Sequence, residues 1–207
     1  MRQPRRRRPQ RRRRTGASLS STNIHEVPEG LPEPRDDGGS DHLPGMNLPS
    51  MSLPSTSGDP VDLSALTGTT VVYCYPLTGR PDRELPQGWD EIPGARGCTP
   101  QSCAFRDHHA ELQDLGARVF GLSTQESAYQ REAAGRLHLP FGLLSDERLE
   151  FTEVLNLPTF EAEGKTLVRR LTMIVESGEI LKVFYPVFPP GRNAEEVIGW
   201  LSERSAS

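Results

Sequence analysis

The pattern of apolar residues predicts an α/β fold, a central mixed sheet with helices on both faces. Three observations carry that reading. From Val71 onward, short apolar runs rich in β-branched and aromatic residues alternate with amphipathic stretches; two apolar runs then flank a Ser177-Gly178 turn; and a last amphipathic stretch closes the chain. Strands that alternate with helices pair in parallel and need cover on both faces, while a closing hairpin adds antiparallel strands.

Residues 1–42 are rich in Arg, Pro, Ser, Gly and acidic residues with scarcely an aliphatic pair. Such a composition cannot bury enough surface to offset chain entropy, so a disordered tail is expected there. The folded domain is expected over 43–204, a length that suits one domain with a real core. It opens on a Leu-Pro pair repeated every five residues, at Leu43, Leu48 and Leu53. Proline at that density forbids helix and central strand, which predicts an extended segment pressing its leucines and methionines onto the domain edge.

Val71 to Tyr75 form a continuous apolar run ending at Pro76 and read as a buried strand. Residues 77–97 are a polar loop full of Pro and Gly, long enough to have a purpose of its own. Thr99-Pro100 predicts a helix start, with Thr99 as N-cap; Phe105, Leu112 and Leu115 supply its apolar face before Gly116 stops it. Residues 117–124 then read as a strand, 126–138 as a helix, 140–145 as a short strand and 146–156 as a helix. Residues 166–188 read as two strands about the Ser177-Gly178 turn, and 192–204 as the closing helix. This layout is compatible with a thioredoxin-like fold.

Composition excludes several classes. No window approaches the ~18 consecutive apolar residues that cross a bilayer. The first fourteen residues hold nine arginines, but no apolar run follows as it would in a secretory or twin-arginine signal. Three cysteines cannot staple a secreted domain. A cytoplasmic location is expected. The net charge of −4, with nine arginines and no acid in the first fourteen residues, leaves −13 on the rest. Nucleic acid thus has one route of contact, the arginine-rich tail, against the plainer readings of a solvated tail or of residues upstream of the true translation start.

Cys98 and Cys103, in GCTPQSCAFRDHH, are the candidate reactive pair. On a regular helix a separation of five residues places Cα atoms roughly 8 to 9 Å apart. A disulfide needs less than about 7 Å, so the pair closes only if the turn unwinds, which suits a switching couple better than a permanent staple. Cys98, just ahead of the helix start and two residues from Arg96, meets free backbone N–H groups and the positive end of the helix dipole, all of which favour thiolate. Cys103, followed by Ala104 and Phe105, has no such help. Cys74 sits mid-strand as a small packed thiol. Arg96 reads as a solvated loop residue, and His108 and His109 as residues of the exposed helix face. Two rival readings remain: a zinc site built from Cys98, Cys103, His108 and His109, whose spacing matches no usual finger, and a thiol–disulfide oxidoreductase, which lacks C-x-x-C.

GCTPQSCAFRDH resembles the active-site segment of the peroxiredoxins of the Q, or bacterioferritin-comigratory, type, in which Gly-Cys-Thr-x-x-x-Cys-x-x-Arg-Asp follows a strand ending in Tyr-Pro. LPSTSGDPVDLSAL, VVYCYP, VFGLSTQ, LPFGLLSDE and RLTMIVESG match further, in the family's order, over roughly Leu53 to Leu201. The resemblance implies a thioredoxin-fold thiol peroxidase acting on hydrogen peroxide or alkyl hydroperoxides without metal or organic cofactor; a monomer or homodimer is expected. It implies Cys98 as peroxidatic cysteine and Cys103 as resolving cysteine, closing a disulfide that a thioredoxin-like donor reduces. Arg170 would hold the peroxide and stabilise charge on sulfur and oxygen. One departure stands out. The family pattern would put Pro at 91 and Thr at 95, where this chain has Glu91 and Ala95; Thr78, Thr99 or a backbone N–H is left to replace the hydroxyl, and Pro93 the proline.

Overall fold

The computed structural model describes residues 30–206. The arginine run and the rest of the tail up to residue 29 lie outside the described residues. In chain order the elements are β1 (Leu53–Ser55), β2 (Gly58–Val61), β3 (Thr69–Cys74), α1 (Cys98–Asp107), α2 (His109–Asp114), β4 (Ala117–Ser123), α3 (Ser127–Arg136), β5 (Leu143–Ser145), α4 (Glu150–Val154), β6 (Thr159–Ala162), β7 (Lys165–Val168), β8 (Leu171–Glu176), β9 (Glu179–Phe184) and α5 (Asn193–Ser205).

A seven-stranded sheet runs in the order β2-β1-β5-β4-β3-β8-β9. β3 pairs in parallel with β4, and β4 with β5, whereas β8, β9, β1 and β2 add on antiparallel. The expected mixed sheet is therefore present. β3 reads as an unbroken apolar run because both of its faces are buried. Val72 and Cys74 enter one core cluster with Leu122 and Met173, while Val71 and Tyr73 enter the other with Phe105 and Ile174. Helices α1, α2, α3 and α5 cover the second cluster, and α4 with the N-terminal segment covers the first. The Tyr73 ring stacks on Phe105 at 4.6 Å between centroids, fixing α1 on the strand beneath it. Burying a side chain of that size contributes ~2–3 kcal/mol.

The Leu-Pro repeat turns over Leu43–Met46, closed by the Met46 N–H on the Leu43 carbonyl at 3.0 Å, and is extended only beyond it; it is also more than an edge strap. Leu43, Leu48 and Leu53 lie in the core itself; Asn47 bridges Glu179 beside β9, and β1 joins the sheet next to β5. Residues ahead of 43 also meet the domain: Ser40 is buried, and the His42 Nε2 lies 2.9 Å from the Leu155 carbonyl.

Four local expectations need correction. The active-site helix begins at Cys98, with Gly97 rather than Thr99 as N-cap; the Gly97 backbone is left-handed at φ 100, and the Pro190 ring fills the space a Cβ would need. That helix also breaks at His108 into α1 and α2 instead of running to Leu115. The helix expected from Asp146 begins at Glu150, because Asp146 is spent as a cap, its carboxylate accepting the N–H groups of Phe151 and Thr152 at 3.0 and 2.8 Å. Finally, 166–176 is two strands: β7 leaves the main sheet to pair with β6, and only β8 continues it.

The β6-β7 hairpin has a clear role. With the long 77–97 loop it encloses a small separate core of Trp89, Ala95, Ala162 and Leu167, edged by Leu77, Leu85, Ile92 and Phe160. The loop is tied down further by Arg136, which donates to the Gly79 carbonyl at 2.8 Å.

Candidate active site

Cys98 is the first residue of α1 and is 3 % exposed. Because Pro100 lacks an N–H and the Gln101 N–H is taken by the Gly97 carbonyl at 3.0 Å, the free backbone donors of this first turn are those of Cys98 and Thr99. The thiol donates to the Ala95 carbonyl at 3.6 Å, and its place at the start of the helix sets it near the positive end of the helix dipole.

Arg170 precedes β8, whose Leu171 is opposite Cys74 in β3. Strand alternation turns Arg170 to the face that carries α1, whereas its neighbour Arg169 donates to the Thr159 carbonyl and lies over the Phe160 ring. Arg170 is 4 % exposed. Its Nη2 approaches the Cys98 sulfur at 3.2 Å and donates to the carbonyls of Gly94, Ala95 and Arg96 at 3.2, 3.2 and 3.0 Å. Its Nη1 donates to Gln101 Oε1. A full positive charge, buried and directed by main-chain oxygens, thus sits against the sulfur and stabilises negative charge there.

Behind this contact runs a buried polar chain that sequence reasoning missed. Gln101 Nε2 donates to Asn193 Oδ1 at 2.9 Å, and Thr172 Oγ1 donates to the same oxygen at 2.6 Å. It joins α1, β8 and the start of α5 around the guanidinium. One signal was available: Gln101 follows Cys98 by three residues, which puts both on one helix face. Asn193 and Thr172, far apart in sequence, gave none.

The sulfur opens on a narrow cleft of about 20 Å³ lined by Leu77, Gly79, Leu85, Trp89, Arg96, Gly97, Cys98 and Thr99. That is room for a water-sized group. The 77–97 loop is therefore one wall of the cleft, and Trp89 both packs that loop and faces the site. Arg96 is not a solvated residue: its Nη2 donates to Asp90 Oδ2 at 3.1 Å, and it lines the cleft. Of the replacements for the missing hydroxyl, Thr78 is occupied, its N–H and Oγ1 both donating to Gln125 Oε1, while Thr99 lines the cleft. Ala95 supplies its carbonyl to Arg170, and Pro93 lines a small cavity shared with Arg170.

Cys103 lies on the same helix, half-buried, and both thiols are free. Burial pushes the Cys103 thiol up, against the opposing pull of Arg106. Cys74 is fully buried on the opposite face of the sheet, and burial raises its thiol well out of reach of neutral pH. His108 pairs with Glu111 at 3.1 Å and His109 rests against Phe141, both half-buried rather than on an open face. Among the described residues no three His, Cys, Asp or Glu side chains converge as a metal site.

The redoxin family model matches residues 43–198. A protein named Peroxiredoxin Q, chloroplastic, from Sedum lineare is 32% identical over 142 residues, spanning 68% of each chain. Its namesake from Oryza sativa subsp. japonica is 31% identical over 142 residues, spanning 68% of this chain and 58% of its own. Among solved structures, peroxidoxin BcpB from Mycobacterium tuberculosis superimposes with a TM-score of 0.63 at 24% identity, over 78% of this chain and 98% of its own. Peroxiredoxin Q from Xanthomonas campestris does so with a TM-score of 0.59 at 18% identity, over 84% and 98%. These two likenesses bear on the fold.

Proposed function

The chain belongs to the redoxin family and, within it, to the peroxiredoxins of the Q type, and from that premise we propose that it reduces hydrogen peroxide and alkyl hydroperoxides through Cys98. The observation that supports this most directly is the 3.2 Å approach of Arg170 Nη2 to the Cys98 sulfur at the start of α1. The Cys98 thiolate attacks the terminal peroxide oxygen and the O–O bond breaks. Hydroxide or alkoxide departs and takes a proton from solvent, leaving water or alcohol, and the sulfur becomes sulfenic acid. Arg170 and the N–H groups of Cys98 and Thr99 stabilise the negative charge before and during the transfer. In the same family a solved Xanthomonas campestris bacterioferritin comigratory protein is described by its alkyl peroxide reduction activity.

Cys103 is the resolving residue in this proposal. Its sulfur attacks that of the sulfenic acid, the S–S bond forms and the hydroxyl leaves as water; a thioredoxin-like dithiol then returns two electrons. Both cysteines lie on α1, roughly 8 to 9 Å apart at Cα by helix geometry, so the first turn must open for the bond to close. Free cysteines in all three positions are in keeping with the cytoplasm that we assign to it. The arginine run would be its one contact with nucleic acid, recognised by salt-sensitive retention that is lost when residues 1 to 14 are removed.

The test is peroxide-dependent oxidation of reduced thioredoxin, with the mass of the product. The unaltered chain should turn over and lose two hydrogens. Cys98→Ser should consume no peroxide; Cys103→Ser should oxidise once and then stall until an external thiol is added. Equal peroxide consumption by the Cys98 variant would refute the assignment.

A further inference from the structure

The family match begins at residue 43, yet the chain ahead of it reaches the active site. The Pro34 ring sits on Gly94, where a Cβ would lie 3.4 Å from both Pro34 Cβ and Cγ. Gly94 is one of the three carbonyls that hold Arg170 Nη2. Pro34 also closes one side of a small cavity whose other walls include Pro93, Gly94, Arg170 and Tyr185. Three residues further on, Asp37 accepts the Tyr185 O–H at 2.8 Å, and the same oxygen accepts the Gly39 N–H at 3.1 Å. Burial and the bond to Asp37 push the Tyr185 phenol up to about 12, and that bond holds the Asp37 carboxyl below its usual range. Gly39 is pressed close to Pro158, and His42 meets the Leu155 carbonyl.

We propose that residues 34–42 are a brace for the catalytic arginine: Asp37, held by Tyr185, keeps the Pro34 ring on Gly94, and Gly94 keeps its carbonyl on Arg170. Pro34, Asp37 and Tyr185 are positioning residues, since none of them touches the sulfur. Arg170 Nη2 divides itself among three consecutive carbonyls and one sulfur, so the distance to sulfur follows the path of the Gly94–Arg96 main chain. Gly94 has a left-handed backbone at φ 76 and no side chain of its own to anchor it. Contact from outside the loop supplies that anchor. A displacement on the order of 1 Å at a reacting centre costs up to about a hundredfold in rate.

The inference rests on Arg170 acting at Cys98, and it is tested by a readout that needs no peroxide. In the full chain carrying Cys103→Ser, the rate of Cys98 alkylation by iodoacetamide is followed by mass across pH 5 to 10. Pro34→Gly and Asp37→Ala are expected to slow alkylation at neutral pH by about tenfold and to move its pH profile upward. Asp37→Asn keeps an oxygen for both donors and should restore the parent profile. Should Pro34→Gly fail to fold, Tyr185→Phe, which keeps the ring and loses only the donor, decides the matter by the same measurement. A brace with a purely structural part would lower the melting temperature and leave the alkylation profile in place; profiles that superimpose on the parent's overturn the proposal. A shifted profile in a chain that consumes no peroxide would instead sink the peroxidase reading and leave the brace standing.

Discussion

The two terminal nitrogens of Arg170 are held by three main-chain carbonyls, Gln101 and the sulfur, while its buried Nε has no partner among the described residues. Replacing Arg170 with Met removes the charge at the sulfur and takes a donor from the carbonyls of Gly94, Ala95 and Arg96 and from the Gln101 oxygen. The expected result is a loss of about 10²- to 10³-fold in the rate of Cys98 oxidation by peroxide, read by stopped-flow, together with about 3 kcal/mol of stability, read by urea unfolding. A variant that unfolds earlier but oxidises at the parent rate would show the arginine to be a packing residue. In the sequence, Cys98 was legible because Gly-Cys-Thr-Pro announces a helix start, and Cys74 because it sits inside an apolar strand. Arg170 came from family resemblance, since beside Arg169 nothing in the alternation says which of the two points inward. Arg96 was misread: the partner that takes it out of solvent, Asp90, lies six residues back in a loop with no periodicity to reveal the pairing.

At the level of the element, α1 carries both thiols and is the part that must change shape. Its first turn is held by the Gln101-to-Gly97 bond, by Gln101 on Asn193, by Pro190 against Gly97 and by the Arg170 contacts. Its second half is held by Tyr73 on Phe105 and by the Tyr73 O–H donated to Ser102 at 3.1 Å. Oxidation to the disulfide should therefore speed amide exchange over 97–106 while β3 stays protected. Unchanged protection in that turn would mean the bond does not form by local unwinding. The regular alternation of strands and helices was legible, because period and length distinguish them. What escaped was tertiary in origin: the β6-β7 hairpin is short and half-buried, and its partner is the 77–97 loop, whose apolar residues Leu77, Leu85, Trp89 and Ile92 are spaced for packing in a loop rather than for any repeat.

For the molecule as a whole, burial sets the pH range of stability. Burial holds His109 below its ordinary 6.5, so the unfolded chain takes up that proton first and stability falls as pH drops below about 6.5. Asp37, bonded to Tyr185, and Asp62, bonded to Ser64, lie below 3.8, and a second loss follows as pH falls through that region. On the alkaline side burial raises Cys74 above 9.0, and Tyr73 and Tyr75 above 10.0. These groups ionise in the unfolded chain while they stay neutral in the folded one, so stability is present below about 9 and is lost as pH rises beyond it. Chemical denaturation from pH 3 to 11 should give a plateau between roughly 6.5 and 9; a maximum outside that window would contradict the burial of these groups. One consequence of the guanidinium's three peptide-oxygen partners reaches past any single chain. Every amino acid carries that oxygen, so outside the left-handed Gly94 and Gly97 a side chain before the reactive thiol can change while the main chain keeps to the same course. Ala95, where the resembled pattern has threonine, is such a change: it keeps the carbonyl on the guanidinium and gives up only the hydroxyl.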